Sequence, residues 1–158
     1  MAKLMASCGL DFEIKKRVAK GMPFYGTCAG AILAAKKVAG EKRYKPLGLI
    51  DIEIGRNAYG HQADSFEAEI EIKTHWPSQD FAFVNKGHHK NNSGGPEKIN
   101  GIFIRSPVIK KAGPKVEVLA RLGNRPVLVR QGNVLAGTFH PETEKNFICH
   151  KMLIEMIQ

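Results

Sequence analysis

The sequence predicts a mixed α/β fold containing parallel sheet, and three observations carry that expectation. Apolar residues recur at helical spacing near both ends of the chain. A short apolar run, a glycine-bounded turn and a strong helix former follow one another over residues 23–38. From Gly48 onward the apolar period falls to two, which is the repeat of strands.

The first segment, up to Lys20, is helical in pattern: Leu10, Ile14 and Val18 share one face, and Gly21 stops it. Pro23-Phe24-Tyr25 suits a buried strand. Gly26-Thr27-Cys28-Ala29-Gly30 then leads into Ala31 to Val38, a helix former closed by Gly40. Strand, turn and helix make half of a βαβ unit, which implies parallel pairing. Leu49 to Ile54 and Phe66 to Ile72 alternate strictly. Further strands are expected at Ile102 to Arg105, Val116 to Leu122, Pro126 to Gln131 and Val134 to Phe139. Gly123-Asn124 and Gly132-Asn133 are turn signals that join the last three into a meander. A closing helix is expected from about Glu144 to Ile157, with Phe147, Ile148, Met152, Leu153, Met156 and Ile157 on its apolar face.

The chain has 158 residues, 43% hydrophobic and 25% charged, which fits one domain able to bury a core without disulfides. No apolar run reaches the length of a transmembrane helix. The net charge is +9, but Lys and Arg are spread along the chain without an aromatic-interleaved motif, so a basic surface is expected and nucleic-acid binding is not. The densest stretch, Lys86 to Lys98, reads as a solvated loop. Cys8, Cys28 and Cys149 form no C-x-x-C pair, so neither a disulfide framework nor a zinc site is supported. A reduced, cytoplasmic setting is expected.

Gly26-Thr27-Cys28-Ala29-Gly30 has the form of a nucleophile elbow, in which a tight strand-to-helix turn pushes the nucleophile outward. Glycine is expected to be needed on both sides of it, and the helix N-terminus to lower the Cys28 pKa. The Ala29 N–H, just after the nucleophile, can meet a developing oxyanion. The bland alternative for Cys28 is a small buried hydrophobe; Cys8 and Cys149 are read as structural. A thiol nucleophile needs a histidine base, and the base needs an orienting carboxylate. His75, His88 and His89 lie in polar loops, His61 in a polar stretch and His150 on the last helix. His140 follows a strand directly, and Glu142 lies two residues on. In an extended His140-Pro141-Glu142 segment their side chains would share one side. The bland alternative is a satisfied histidine at a strand end.

The elbow and the His140-Pro141-Glu142 motif are accompanied, in order, by Arg56-Asn57-Ala58-Tyr59-Gly60, Asp64-Ser65-Phe66-Glu67, Ile102 to Pro107, Val116 to Ala120 and Gln131-Gly132-Asn133. Together these resemble the glutaminase subunit of pyridoxal 5′-phosphate synthase, the PdxT/SNO family of class I triad glutamine amidotransferases, over nearly the whole chain. The resemblance implies a flavodoxin-like three-layer sandwich around a largely parallel sheet, with residues 1–158 as a single amidotransferase domain. It also implies that Cys28 attacks glutamine, His140 moves the proton and Glu142 orients His140. Ala29 would supply an oxyanion contact, and Arg56, Ile104 and Arg105 would bind L-glutamine. Ammonia would pass to a (β/α)8-barrel synthase subunit within a large hetero-oligomer, for vitamin B6 synthesis. No metal, and no cofactor of the chain's own, is implied.

Family members begin with a strand and carry a Gly-Gly-Glu-Ser loop before the segment corresponding to Met1 onward. Neither occurs here, so a domain lacking its N-terminal segment, and with it a second oxyanion donor, is expected. His61 stands where the family commonly has Arg, and Thr143-Glu144 where it has Leu-Thr. Two other readings stay open: an amidotransferase serving a different synthase, and a chain that only binds the synthase partner.

Overall fold

The computed structural model describes residues 1–56, 65–73, 96–143 and 147–157. His61, His75, His88, His89, most of the Lys86 to Lys98 stretch, Asn57 to Gly60 and Asp64 of the quoted motifs, and the expected start of the last helix at Glu144 lie outside them.

The expected N-terminal helix is two helices, α1 (Ala2–Ser7) and α2 (Leu10–Ala19), parted at Gly9 with φ 70°. Of its predicted apolar face, Val18 is buried, Ile14 packs against the core edge and Leu10 stays exposed. Gly21, with φ 100°, ends the segment as expected. Strand β1 (Phe24–Thr27) runs into α3 (Ala29–Ala34), and there the chain departs from its propensity. The expected helix to Val38 stops at Ala34, and Ala35–Val38 forms β2. Packing overrides helix preference here. Ala35 and Val38 are buried, while Lys36 and Lys37 point out and pair with Asp51 and Glu53 at 2.8 and 3.1 Å.

Those carboxylates lie on β3 (Ile50–Gly55), whose Ile50, Ile52 and Ile54 face inward at 2% exposure or less. Each such side chain contributes roughly 1.5–3 kcal/mol by leaving water. The remaining strands are β4 (Phe66–Ile72), β5 (Glu97–Phe103), β6 (Val108–Ala112), β7 (Glu117–Leu122), β8 (Arg125–Gln131) and β9 (Val134–Gly137). Glu97 and Lys98, read as the end of a loop, open β5, where Lys98 pairs with Glu69 of β4 at 2.8 Å. Gly123 and Gly132 have φ 56° and 57° and make the two hairpin turns of the β7–β8–β9 meander.

The strands form a six-stranded sheet in the order β1-β9-β8-β7-β4-β5 and a three-stranded sheet, β2-β3-β6. The largely parallel sheet that the resemblance implies is not what the described residues build. Only β1–β9 and β2–β3 are parallel; the other pairings are antiparallel. The physical reason lies in the short α3. It returns the chain not to the large sheet but to the start of the small one, and hairpins then build most of the rest.

Two apolar clusters cover the faces of the large sheet. Leu128 and Leu135 face Ile148, Cys149 and Met152 of helix α4 (Ile148–Glu155), while Val129 and Ala136 face α3 and the small sheet. A side-chain bond joins the sheets: the Asp51 N–H of β3 donates to the Gln131 amide oxygen of β8 at 2.8 Å. Among the described residues no helix is long and apolar enough to cross a membrane.

Candidate active site

The site is assembled at one edge of the large sheet by its single parallel pair. β1 and β9 run side by side with Thr27 opposite Gly137, so Cys28 and, three residues beyond Gly137, His140 leave the sheet at the same end. The Cys28 N–H donates to the Gly137 carbonyl at 2.9 Å, which holds the turn against β9.

Cys28 has φ 46° and ψ −102°, a conformation that L-residues avoid at a cost of about 1–3 kcal/mol. Gly26 makes this turn possible. A Cβ there would sit 2.5 Å from the Gly30 carbonyl carbon, inside any real contact distance. Gly30, expected to be equally necessary, faces open space, so only the first glycine is sterically required.

The expected lowering of the Cys28 pKa is also corrected. Burial raises it, the Ala29 N–H lowers it and the Glu142 charge raises it, and the net direction is upward. A six-residue helix with one amide directed at the sulfur does not outweigh desolvation.

His140 and Glu142 are joined as expected, but not through an extended segment. Pro141–Thr143 is a 3-10 turn, and that turn brings Glu142 Oε1 to 2.7 Å from His140 Nδ1. Partial burial pushes the Glu142 pKa up. The bond from His140, the Glu142 backbone amide and the charges of His140 and His150 together outweigh it and hold the carboxyl below its usual range. An ionised carboxylate only accepts, so Nδ1 donates to Glu142 and Nε2 is the nitrogen turned away from it. His150, which the sequence did not single out, therefore bears on the site. Its ring stands edge-on to Tyr25 of β1, with centroids 6.2 Å apart.

Ile104 and Arg105 follow β5 and reach the same place. The Ile104 carbonyl lies 3.9 Å from Cys28 Sγ, and the His140 N–H donates to the Ile102 carbonyl at 2.8 Å. Arg105 has φ 46°; it and Cys28 are the non-glycine residues with positive φ among the described residues, and both sit at this site. Ser106, buried at 2% exposure, ties the turn to the end of β9 by donating to the Thr138 carbonyl. It lies inside the Ile102-to-Pro107 motif, yet nothing in its residue type marks it as an anchor.

Arg56, just beyond β3, comes from the small sheet. It lines a cavity of about 350 Å³ with Ala29, Ile32, Glu41 and Tyr44. Its Nη1 is 3.5 Å from Glu41 Oε2. Cys8, read as structural, is exposed on the N-terminal helical segment, and Cys149 is fully buried under the large sheet.

An α/β fold with a strained cysteine at a strand-to-helix turn, and a histidine–carboxylate pair just beyond the adjacent parallel strand, defines a candidate thiol-dependent amide hydrolase. Residues 1–158 match the SNO glutamine amidotransferase family, and the chain belongs to it. A Methanothrix thermoacetophila protein named pyridoxal 5′-phosphate synthase subunit PdxT is 43% identical over 156 residues, spanning 98% of this chain and 72% of its own length. The Thermus thermophilus protein of the same name is 39% identical over 157 residues, spanning 99% and 71%. A solved structure described as a glutamine amidotransferase superposes with a TM-score of 0.79 at 39% identity, covering 98% of this chain and 71% of its own. A Thermotoga maritima glutamine amidotransferase at 12% identity, with a TM-score of 0.53, shares the fold alone.

Proposed function

We infer that the chain hydrolyses L-glutamine to glutamate and ammonia and delivers the ammonia to the pyridoxal 5′-phosphate synthase subunit, a (β/α)8 barrel, within a large hetero-oligomer. The observation that carries this reading is the His140–Glu142 bond at the end of β9, beside the β1 turn that presents Cys28.

The chemistry follows from the groups present. With its pKa raised, Cys28 rests as a thiol and needs a base. His140 Nε2 takes the Sγ proton as sulfur attacks the side-chain amide carbon of glutamine. The oxyanion that forms meets the Ala29 N–H, which opens α3 and so has no partner within that helix. The imidazolium gives its proton to the leaving nitrogen, ammonia departs, and a glutamyl thioester remains. Water, deprotonated by His140, then releases glutamate and restores the thiol. Glu142 stays ionised throughout and stabilises the imidazolium.

Arg56 is assigned to the substrate α-carboxylate, which a guanidinium recognises well. Ile104 and Arg105 are assigned to the glutamine chain, Ile104 through its backbone carbonyl. Three free cysteines, one of them required as a thiol, fit a reducing cytoplasmic setting.

The test is ammonia release from glutamine with the synthase subunit present. Cys28→Ala should abolish it, and a glutamine-like diazo-ketone should label Cys28. Labelling at Cys8 or Cys149 instead would remove the basis of the assignment.

A further inference from the structure

The loop after β2 places beside Arg56 a carboxylate to which the proposed reaction gives no role. Glu41 has a side chain only 7% exposed, yet it lines the cavity shared by Ala29 and Arg56. Its Oε1 accepts from the Arg43 backbone N–H at 2.8 Å and from Arg43 Nε at 3.3 Å. Its Oε2 faces Arg43 Nη2 at 3.4 Å and Arg56 Nη1 at 3.5 Å. Both oxygens are thus engaged by cations, which leaves Glu41 no vacant side for a substrate ammonium group.

Charge decides what the cavity accepts. Arg43, Arg56 and Lys3 line it against the one carboxylate of Glu41, which leaves a surplus of positive charge that a ligand carboxylate would offset. Arg56 itself is half-exposed at the end of a strand, and a long side chain there samples many rotamers. An anchored carboxylate removes that freedom before the ligand arrives, so less ordering remains to be done on binding. Glu41 can serve as that anchor because it stays charged. Hydrogen bonds from the Arg43 amide and guanidinium hold its pKa below the usual carboxylate range.

We propose that Glu41 is a positioning residue that holds Arg56 at the cavity wall, aimed at the α-carboxylate of the substrate. This deepens the glutaminase reading and rests on it for the identity of the ligand. Glu41 does not touch substrate; it acts through Arg56, with Arg43 as its own anchor.

The experiment compares wild type, Glu41→Gln and Glu41→Asp in complex with the synthase subunit, on L-glutamine and on 4-aminobutanamide. The second substrate keeps the amide and the ammonium but lacks the α-carboxylate. Glu41→Gln should raise the KM for glutamine at least about tenfold with kcat little changed, and Glu41→Asp should recover part of the loss. Hydrolysis of 4-aminobutanamide should not respond, and in an Arg56→Ala background Glu41→Gln should add nothing further. Arg43→Ala, which frees the Glu41 carboxylate, should raise the KM in the same direction and serves if Glu41→Gln fails to fold.

Binding is read separately, without turnover, by calorimetric titration of L-glutamine into the Cys28→Ala chain with and without Glu41→Gln. Weaker binding with Glu41→Gln, in a protein whose wild type releases no ammonia, would sustain this inference and sink the glutaminase reading. An unchanged KM and Kd in an active enzyme, or equal slowing on both substrates, would overturn the inference alone.

Discussion

The Cys28 amide, one step beyond the last residue of β1, is hydrogen-bonded at 2.9 Å to the carbonyl of Gly137, the last paired residue of β9. That bond extends the parallel ladder into the turn itself. It fixes the nucleophile's backbone to the strand that carries the histidine, so the two sides of the proposed reaction share one rigid support.

Loss of His140 should therefore remove both the base and the acid. His140→Ala is expected to lower kcat for glutamine by roughly 10⁴-fold or more. Glu142→Gln should cost one or two orders of magnitude less, because Nε2 survives while its orientation is lost. Steady-state ammonia release with the synthase subunit present measures both; equal activity of Glu142→Gln and wild type would detach Glu142 from the mechanism.

The two glycines of the elbow should behave differently. Gly26→Ala drives a Cβ to 2.5 Å from Gly30 backbone and should destabilise the fold by about 2 kcal/mol or more. Gly30→Ala meets nothing within 4 Å and replaces a helical glycine, so it should be neutral or stabilise by up to about 1 kcal/mol. Urea midpoints of the two variants decide it, and matching losses would show that the open space at Gly30 is filled.

Alkylation reports the Cys28 proton. Because burial raises its pKa, the rate of Cys28 carboxamidomethylation should climb with pH through a midpoint above that of an ordinary thiol. Mass spectrometry of peptides sampled from about pH 6 to about pH 11 gives the curve. A midpoint below about 7 would mean a resting thiolate, and His140 would then not be needed as the first base.

Cys149 should make the fold sensitive to alkali. Burial pushes its thiol up to about 11 from 9.0. A raised folded pKa gives stability that is whole below the unfolded value and is lost as pH climbs through the folded one. The window therefore runs from about 9 to about 11. Two pKa units correspond to at most about 3 kcal/mol. Over that range the urea midpoint of wild type should fall more steeply than that of Cys149→Ala; parallel curves would contradict it.

Local chemistry was legible in the sequence, whereas partner choice was not. The alternation of Phe66 to Ile72 defined β4 to the residue, because each glutamate faces water and each inward position is apolar. The turn at Cys28 and the His140–Glu142 pair were readable for the same reason: each depends on residues close together in the chain. Alternation does not reveal whether a strand's neighbour runs with it or against it, so apart from the β7–β8–β9 meander, which its glycine turns announced, the antiparallel pairings stayed hidden. β6 escaped because Val108-Ile109-Lys110-Lys111-Ala112 has no clean period, and β2 because alanines favour helix until tertiary burial decides otherwise. Glu41 and Ser106 carry no signal of their own; what they do depends on which chain segments fold back over them.

The bond between Asp51 and Gln131 acquires a different meaning once the site is assembled. Cys28 hangs from the large sheet, whereas Arg56 extends from the small one. On the proposed assignments the span between sulfur and guanidinium is therefore a distance between two sheets, and the Gln131 side chain is one of the bonds that ties them together. A slip of one sheet over the other would change the length of substrate that fits, with every side chain at the site unaltered. On those assignments, discrimination against a molecule one methylene longer or shorter than glutamine would depend partly on an amide that lies at neither end of the ligand.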